Sequence, residues 1–133
     1  MQSTELRLHT GTRHFTDLTS EVAGFCRSRG DGLLSVFVPH ATAGVALMEL
    51  GSGSEDDLDE LLGRVMPRDD RYRHRHGAPG HGADHVLPAL VSPSLVLPVE
   101  GGRPLLGTWQ SVVLVDLNAD NPDRRVRLSF LSG

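Results

Sequence analysis

The sequence predicts an α+β fold: an antiparallel β-sheet or sandwich with two or three helices packed on it. Three features point there. The chain opens strand–helix–strand–strand–helix, its second half is almost entirely β in character, and its last apolar segment alternates strictly in and out. At 133 residues, with no internal repeat and no linker, residues 1–133 are expected to form one domain.

Taken in order, Thr4 to Thr10 alternates, with Leu6 and Leu8 on one face, and reads as a strand. From Asp17 to Arg29, Leu18, Val22 and Phe25 recur at helical spacing, and Gly30 is placed to end that helix. Leu33 to Val38 is a short apolar run expected as a buried strand, with Thr42 to Met48 as its partner. Ser54 to Met66 is the clearest helix. Ser54 is its expected cap, Glu55, Asp56 and Asp57 suit the positive end of the helix dipole, and Leu58, Leu61, Leu62 and Val65 form one stripe before Pro67. Arg68 to Ala83 is Arg, His and Gly with almost nothing to bury, so it is either mobile or held by a ligand. A short helix is expected over Asp84 to Val91, limited by Pro88. Strands follow at Leu95 to Val99 and Leu105 to Leu117, joined through a Gly101-Gly102 hairpin signal. Asn118 to Asp123 has turn chemistry, and Arg124 to Leu131 sends Val126, Leu128 and Phe130 inward.

Apolar residues make up 38%, lean enough that a partner subunit is expected to cover part of the apolar surface. The net charge of -4 carries no basic block, which argues against nucleic-acid binding. All 13 basic residues are Arg, first a matter of composition bias and only second a preference for anion-binding guanidinium groups. A single cysteine, Cys26, excludes an internal disulfide and fills helix space. With no signal-peptide pattern and no run of roughly 20 apolar residues, the expectation is a cytoplasmic protein without a membrane partner.

Chemistry concentrates in histidine. Four of the seven, His74, His76, His81 and His85, fall within a dozen residues. Neutral imidazole is the commonest metal ligand. His74 and His76 fit one side of an extended segment, and His81 and His85 one face of a helix. The alternatives are a solvated loop, or histidines that contact phosphate or act as acid and base. His40 follows the Leu33 to Val38 run through Pro39, where a buried strand emerges, and the small residues Thr42 and Ala43 leave room for a ligand. Glu49 ends the following strand. If the two strands pair as a hairpin, His40 and Glu49 lie at its opposite ends and meet only through a neighbouring strand or another subunit. Gly51 to Ser54 leads into a helix start that can hold an anion, although the acidic triplet behind it opposes one. Trp109 reads as a core residue in a strand with Gln110 on the opposite face.

Pro39-His40-Ala41-Thr42-Ala43, Glu49, Tyr72-Arg73-His74, Ala83-Asp84-His85 and Leu106 to Gln110 occur in the order and spacing of the YjbQ-like family, which the chain resembles from about Thr16 to Phe130. The resemblance implies a small α+β homotrimer with a weak, secondary thiamine-phosphate synthase-type activity, joining a pyrimidine pyrophosphate to a thiazole phosphate. By position it implies a site of His40, Glu49, His74, His85, Trp109 and Gln110, with His74, His85 and His40 as the metal ligands. Ala41 and Met48 depart from the Thr and Asn of many relatives, so Glu49 lacks a neighbouring amide to orient it. On this resemblance His40, Glu49, Trp109 and Gln110 are the candidate catalytic residues. Thr42, Arg73 and Arg103 are the candidate contacts to a bound cofactor or small phosphorylated molecule, and Arg71 and Arg75 are further cations. The histidines favour zinc or another transition metal over magnesium. Two further functions stand beside the synthase: metal-dependent hydrolysis of a phosphorylated or amide-like metabolite, with Glu49 as base, and a non-catalytic trimeric metal- or metabolite-binding module.

Overall fold

The computed structural model describes residues 1–133. The elements run β1 (Gln2–His9), β2 (Phe15–Asp17), α1 (Thr19–Cys26), β3 (Gly32–Phe37), β4 (Ala43–Met48), α2 (Ser54–Val65), α3 (His81–Asp84), α4 (Leu87–Leu90), β5 (Ser94–Glu100), β6 (Arg103–Pro104), β7 (Ser111–Asp116) and β8 (Asp123–Ser132). The fold is α+β, as the sequence predicts. A five-stranded sheet in the order β1-β8-β3-β5-β6 faces a three-stranded sheet in the order β2-β7-β4. Every pairing is antiparallel. No helix is long and apolar enough to cross a membrane.

The alternation of each strand sorts its side chains into layers. Leu34 and Val36, Leu97 and Val99, and Val126, Leu128 and Phe130 face Ala43, Val45, Val112 and Leu114 across the sandwich. Leu18, Val22 and Cys26 of the first helical segment pack into the same core. Val113 and Val115 emerge on the other face of β7 and pack with Leu62, Met66 and Leu87 from the helical side. Both faces of β7 are therefore buried, which is why its sequence is an unbroken apolar run. Each side chain of this kind contributes about 1.5–3 kcal/mol on burial.

Four sequence expectations need correction. Thr42 to Met48 does not pair with Leu33 to Val38. Both edges of β3 are taken, with Ser35 opposite Val96 of β5 on one side and Ser129 of β8 on the other. The chain therefore crosses at Pro39–Ala41 into the second sheet, where Ala43 pairs with Asp116. The run Leu105 to Leu117 is not one strand either. Pairing ends at Pro104 and resumes at Ser111, and between them the Gly107 N–H donates to Gln110 Oε1 at 2.8 Å while the Gln110 N–H donates to the Gly107 carbonyl at 3.0 Å. This turn moves the chain from one sheet to the other. Ser54 is the first residue of α2 rather than its cap. Gly53 occupies the cap position, and the Gly51 N–H donates to Glu55 Oε2 at 2.9 Å. That bond fills the Gly51 to Ser54 anion position with the chain's own carboxylate. Finally, the helix expected over Asp84 to Val91 is two single turns, α3 and α4, with Pro88 in the first turn of the second.

The Gly101-Gly102 hairpin is present, with φ of 56° and 76° and Glu100 opposite Arg103. Two consecutive left-handed residues are what a two-residue turn of this hand requires.

Candidate metal centre and His40 cleft

The segment after α2 is tied down by its own contacts. Tyr72 Oη donates to the Pro67 carbonyl at 2.6 Å, Arg68 pairs with the buried Asp84, and the Ala78 N–H donates to Asp120 Oδ2 at 3.1 Å. This brings the four clustered histidines together. One ligand atom from each of His74, His76, His81 and His85 lies within 4.8 Å of every other, and the ring centroids are 3.9 to 5.9 Å apart. His81 opens α3 and His85 follows it, and their Nε2 atoms approach to 2.9 Å. The cluster opens into a depression of ≈ 240 Å³ also lined by Asp69, Asp70 and Tyr72.

The donor chemistry fits a transition metal. His74 Nδ1 is buried without a hydrogen-bond partner, a costly arrangement for a ring nitrogen that nothing else engages. Burial first, and the neighbouring imidazoles second, hold His74 and His85 below the ordinary histidine range, so both rings are neutral at neutral pH. Neutral imidazole is the ligating form. A tetrahedral zinc with bonds of about 2.0–2.1 Å spaces its ligand nitrogens a little over 3 Å apart, within the spread seen here. Behind the cluster, His81 Nδ1 lies 3.0 Å from Asp120 Oδ2 and 3.3 Å from Asn118 Nδ2. Asn118 Oδ1 accepts the Asp120 and Asn121 N–H groups, so the Asn118 amide NH2 faces His81 and donates to Nδ1.

His40 stands apart from these four. Its Nε2 accepts the Arg125 N–H at 2.9 Å, beyond the point where β3 stops pairing with β8. The expected third ligand His40 lies outside the four-histidine cluster of the chain: its Nε2 takes a backbone donor, which leaves the hydrogen on Nδ1. Burial, then Arg124 and Arg125, lower its pKa. His40 instead lines an open cleft of ≈ 740 Å³ with Arg7, Leu8, His9, Asn121, Asp123, Arg124 and Arg125. Thr42 is buried, and its hydroxyl accepts from Arg124 Nη2 at 2.8 Å, so it braces this cleft from beneath.

The remaining expected residues lie elsewhere. Ala43 pairs with Asp116 at the His40 end of β4, and Met48 pairs with Ser111 at the other. Glu49, Trp109 and Gln110 gather at that far end, across a strand that spans about 20 Å. Trp109 is 74% exposed on the turn and is not core. Arg73 is exposed, and Arg103 lines a separate depression with Ala23, Arg27 and Leu106. Arg71 pairs with Asp69, and Arg75 Nε donates to the Tyr72 carbonyl. Sequence reasoning missed Asp116 and Arg124, a fully buried ion pair with Nε to Oδ2 at 2.6 Å, and it missed Asn118 and Asp120 beneath His81. A signal for the first was present: Arg124 has the inward phase of Val126, and a buried guanidinium requires a carboxylate.

The family profile described as "UPF0047 protein YjbQ-like" matches residues 4–133. The chain is 62% identical over 133 residues to UPF0047 protein Rv2556c of Mycobacterium tuberculosis, covering 100% of both chains. Among solved structures, a hypothetical protein from Aeropyrum pernix K1 superposes with a TM-score of 0.89 at 30% identity, over 100% of both chains. A protein of unknown function from Sulfolobus solfataricus P2 shares the fold, with a TM-score of 0.90 at 20% identity over 99% of this chain and 97% of that one. Sequence match and fold agree over essentially the full length, and the chain belongs to the YjbQ/UPF0047 family.

Proposed function

We propose that the protein is a transition-metal-dependent hydrolase of a small phosphorylated molecule, acting as a homotrimer, with His74, His76, His81 and His85 holding zinc or a similar ion. The observation that carries this reading is the convergence of four imidazole donors within 4.8 Å, one of them buried and unpartnered. When bound, such an ion supplies a water-derived nucleophile at neutral pH and charge for a phosphoryl oxygen. Asp70 lines the same depression and has no ion pair, whereas Asp69 is held by Arg71. Asp70 therefore takes the proton-accepting role expected of Glu49, which lies at the far end of β4. In the His40 cleft, Arg7 and Arg125 sit directly opposite each other across β1 and β8. Glu5 pairs with both, 3.6 Å from Arg7 Nη2 and 3.8 Å from Arg125 Nη1, and the His40 Nδ1–H adds a donor to the cleft.

Thiamine-phosphate synthesis is the second reading, favoured by the exposed Trp109, a ready cover for an aromatic ring. It needs Trp109 and Gln110 of one copy to reach His40 of another. It also draws on pyrophosphate chemistry for which magnesium and oxygen ligands are usual, and four nitrogens are the wrong donors. A non-catalytic binding module is the outcome if metal is held and nothing turns over.

The test is metal content per chain in untagged, exhaustively dialysed protein, with hydrolysis of p-nitrophenyl phosphate measured before and after zinc is restored. Near-stoichiometric metal, lost in the His74→Ala, His85→Ala double variant together with zinc-restored turnover, is the expected result. Protein that neither retains nor takes up a transition metal overturns the reading.

A further inference from the structure

The depression beside the β5–β6 hairpin shares no residue with the histidine centre. It measures ≈ 340 Å³ and is lined by Ala23, Arg27, Gly102, Arg103, Pro104 and Leu106. That is the lower end of the range for small-molecule pockets, about 300–1,000 Å³. Its wall holds two guanidinium groups and no carboxylate. Every other depression that an arginine lines also has an aspartate in its wall: Asp123 in the His40 cleft, Asp69 and Asp70 beside the histidines, and Asp116 next to Arg13 and Arg68. On a chain of net charge -4, this unbalanced cationic depression is the exception. We infer that it is a second binding site, for a small organic phosphate. Arg27 and Arg103 hold the phosphate, and the floor of Ala23, Pro104 and Leu106 takes the organic part.

Neither guanidinium has another task. Arg27 and Arg103 are exposed and make no side-chain hydrogen bond or ion pair. Glu100 stands opposite Arg103 across the hairpin without pairing with it, and Asp31 Oδ1 is taken by the Gly101 N–H at 2.7 Å. At the end of α1 the ordinary role of a cation is to engage the last carbonyls. Arg29 fills that role: its Nη1 donates to the Phe25 carbonyl, its N–H donates to the Cys26 carbonyl at 2.9 Å, and its guanidinium lies 3.8 Å from the Phe25 ring centre. Arg27, at the cap position itself, is left free. The two backbones are held together. The Gly102 N–H donates to the Gly30 carbonyl at 2.9 Å, and a Cβ on Gly102, at φ 76°, would stand 2.5 Å from the Arg27 carbonyl oxygen. Only glycine lets the hairpin close on the end of the helix, which brings Arg103 and Arg27 to one depression. The floor is anchored as well, since Leu106 packs against the main core. Two planar forks beside a small apolar floor match a phosphate monoester, which offers several acceptor oxygens to guanidinium and an apolar body to the floor. The sequence groups Arg103 with Thr42 and Arg73; the structure gives it Arg27 instead.

The experiment titrates phenyl phosphate into metal-stripped full-length wild type, Arg27→Gln, Arg103→Gln and Arg127→Gln, read by backbone amide shifts in ¹H–¹⁵N NMR. Arg127→Gln removes the same charge from an exposed position on β8, and circular dichroism checks each fold. Saturable shifts at Ala23, Arg27, Gly102, Arg103 and Leu106 are expected in wild type. Affinity should fall about 10-fold in R27Q and in R103Q, while R127Q stays at the wild-type value. Inorganic phosphate, which leaves the floor empty, should bind the same residues more weakly than phenyl phosphate. Shifts that gather at the His40 cleft or the histidines instead, equal affinity in wild type, R27Q and R103Q, or no saturation at all would sink the inference. Because metal is absent throughout, a histidine centre that never takes up zinc leaves this site standing, and failure here leaves the metal reading untouched.

Discussion

His40 accepts the Arg125 N–H through Nε2, and that bond sets what the ring does as pH falls. Protonating Nε2 breaks the bond and places a cation beside Arg124 and Arg125, which is why burial and those two arginines hold its pKa below the ordinary value. The unfolded chain, with a histidine near 6.5, binds the proton first. Stability is therefore complete above about pH 6.5 and falls as pH drops below it, levelling off beneath the folded-state pKa. His74 and His85 titrate with the same sign. His40→Gln cannot be protonated, so metal-free H40Q should lose less stability than wild type between pH 7 and 5 in urea titrations. Parallel losses in the two proteins would refute the assignment of Nε2. At this scale the sequence was legible where residue type alone decides, as in the four histidines. It was silent where a partner decides. Asp120 is an ordinary turn aspartate until the fold puts His81 against it, and the Nε2 of His40 is lost to a backbone donor 85 residues away.

Elements were legible wherever a period ran uninterrupted. β8 alternates as read, and α2 lies within a residue of its expected bounds. The Gly101-Gly102 turn is where its chemistry puts it. What the pattern did not carry is which strand lies beside which. Nearness in sequence suggested a hairpin of β3 with β4, but β8, last in the chain, takes the β3 edge. The register of β4 then depends on one small residue. A Cβ on Gly44 would stand 2.0 Å from the Val91 carbonyl oxygen, next to the point where the Val45 N–H donates to Ser92 O at 2.8 Å. Neither group is the far end of a flexible chain, so backbone must move. Gly44→Ala should cost about 2–3 kcal/mol, seen as a fall in Tm on the order of 10 °C. Gly63→Ala, in α2 with nothing within 4 Å of its Cβ, should instead stabilise by up to about 1 kcal/mol. A neutral G44A would mean that β4 and the segment after α4 are not in contact as described.

At the scale of the whole molecule, the lean apolar content does not translate into a fully covered surface. The inner side chains of β3, β5 and β8 are buried, but the alternate positions leave Leu33, Phe37, Val96 and Leu131 between 42% and 59% exposed on the outer face of the five-stranded sheet. They are contiguous: Leu33 lies opposite both Pro98 and Leu131, and Val96 opposite Ser35 between Leu33 and Phe37. Single exposed apolar residues are ordinary, whereas a joined stripe across the middle of a sheet marks a surface that something covers. On the proposed homotrimer, that cover is another copy of the chain. Light scattering should then give three times the 14.4 kDa chain mass for wild type. The Phe37→Thr, Val96→Thr variant changes only exposed side chains on strands, so its fold should persist, checked by circular dichroism, while its mass falls toward that of one chain. A wild type of single-chain mass removes the trimer and, with it, the route by which Trp109 could reach His40. A double variant that stays trimeric would keep that route and move the interface off this sheet face, toward the turn that carries Trp109 itself.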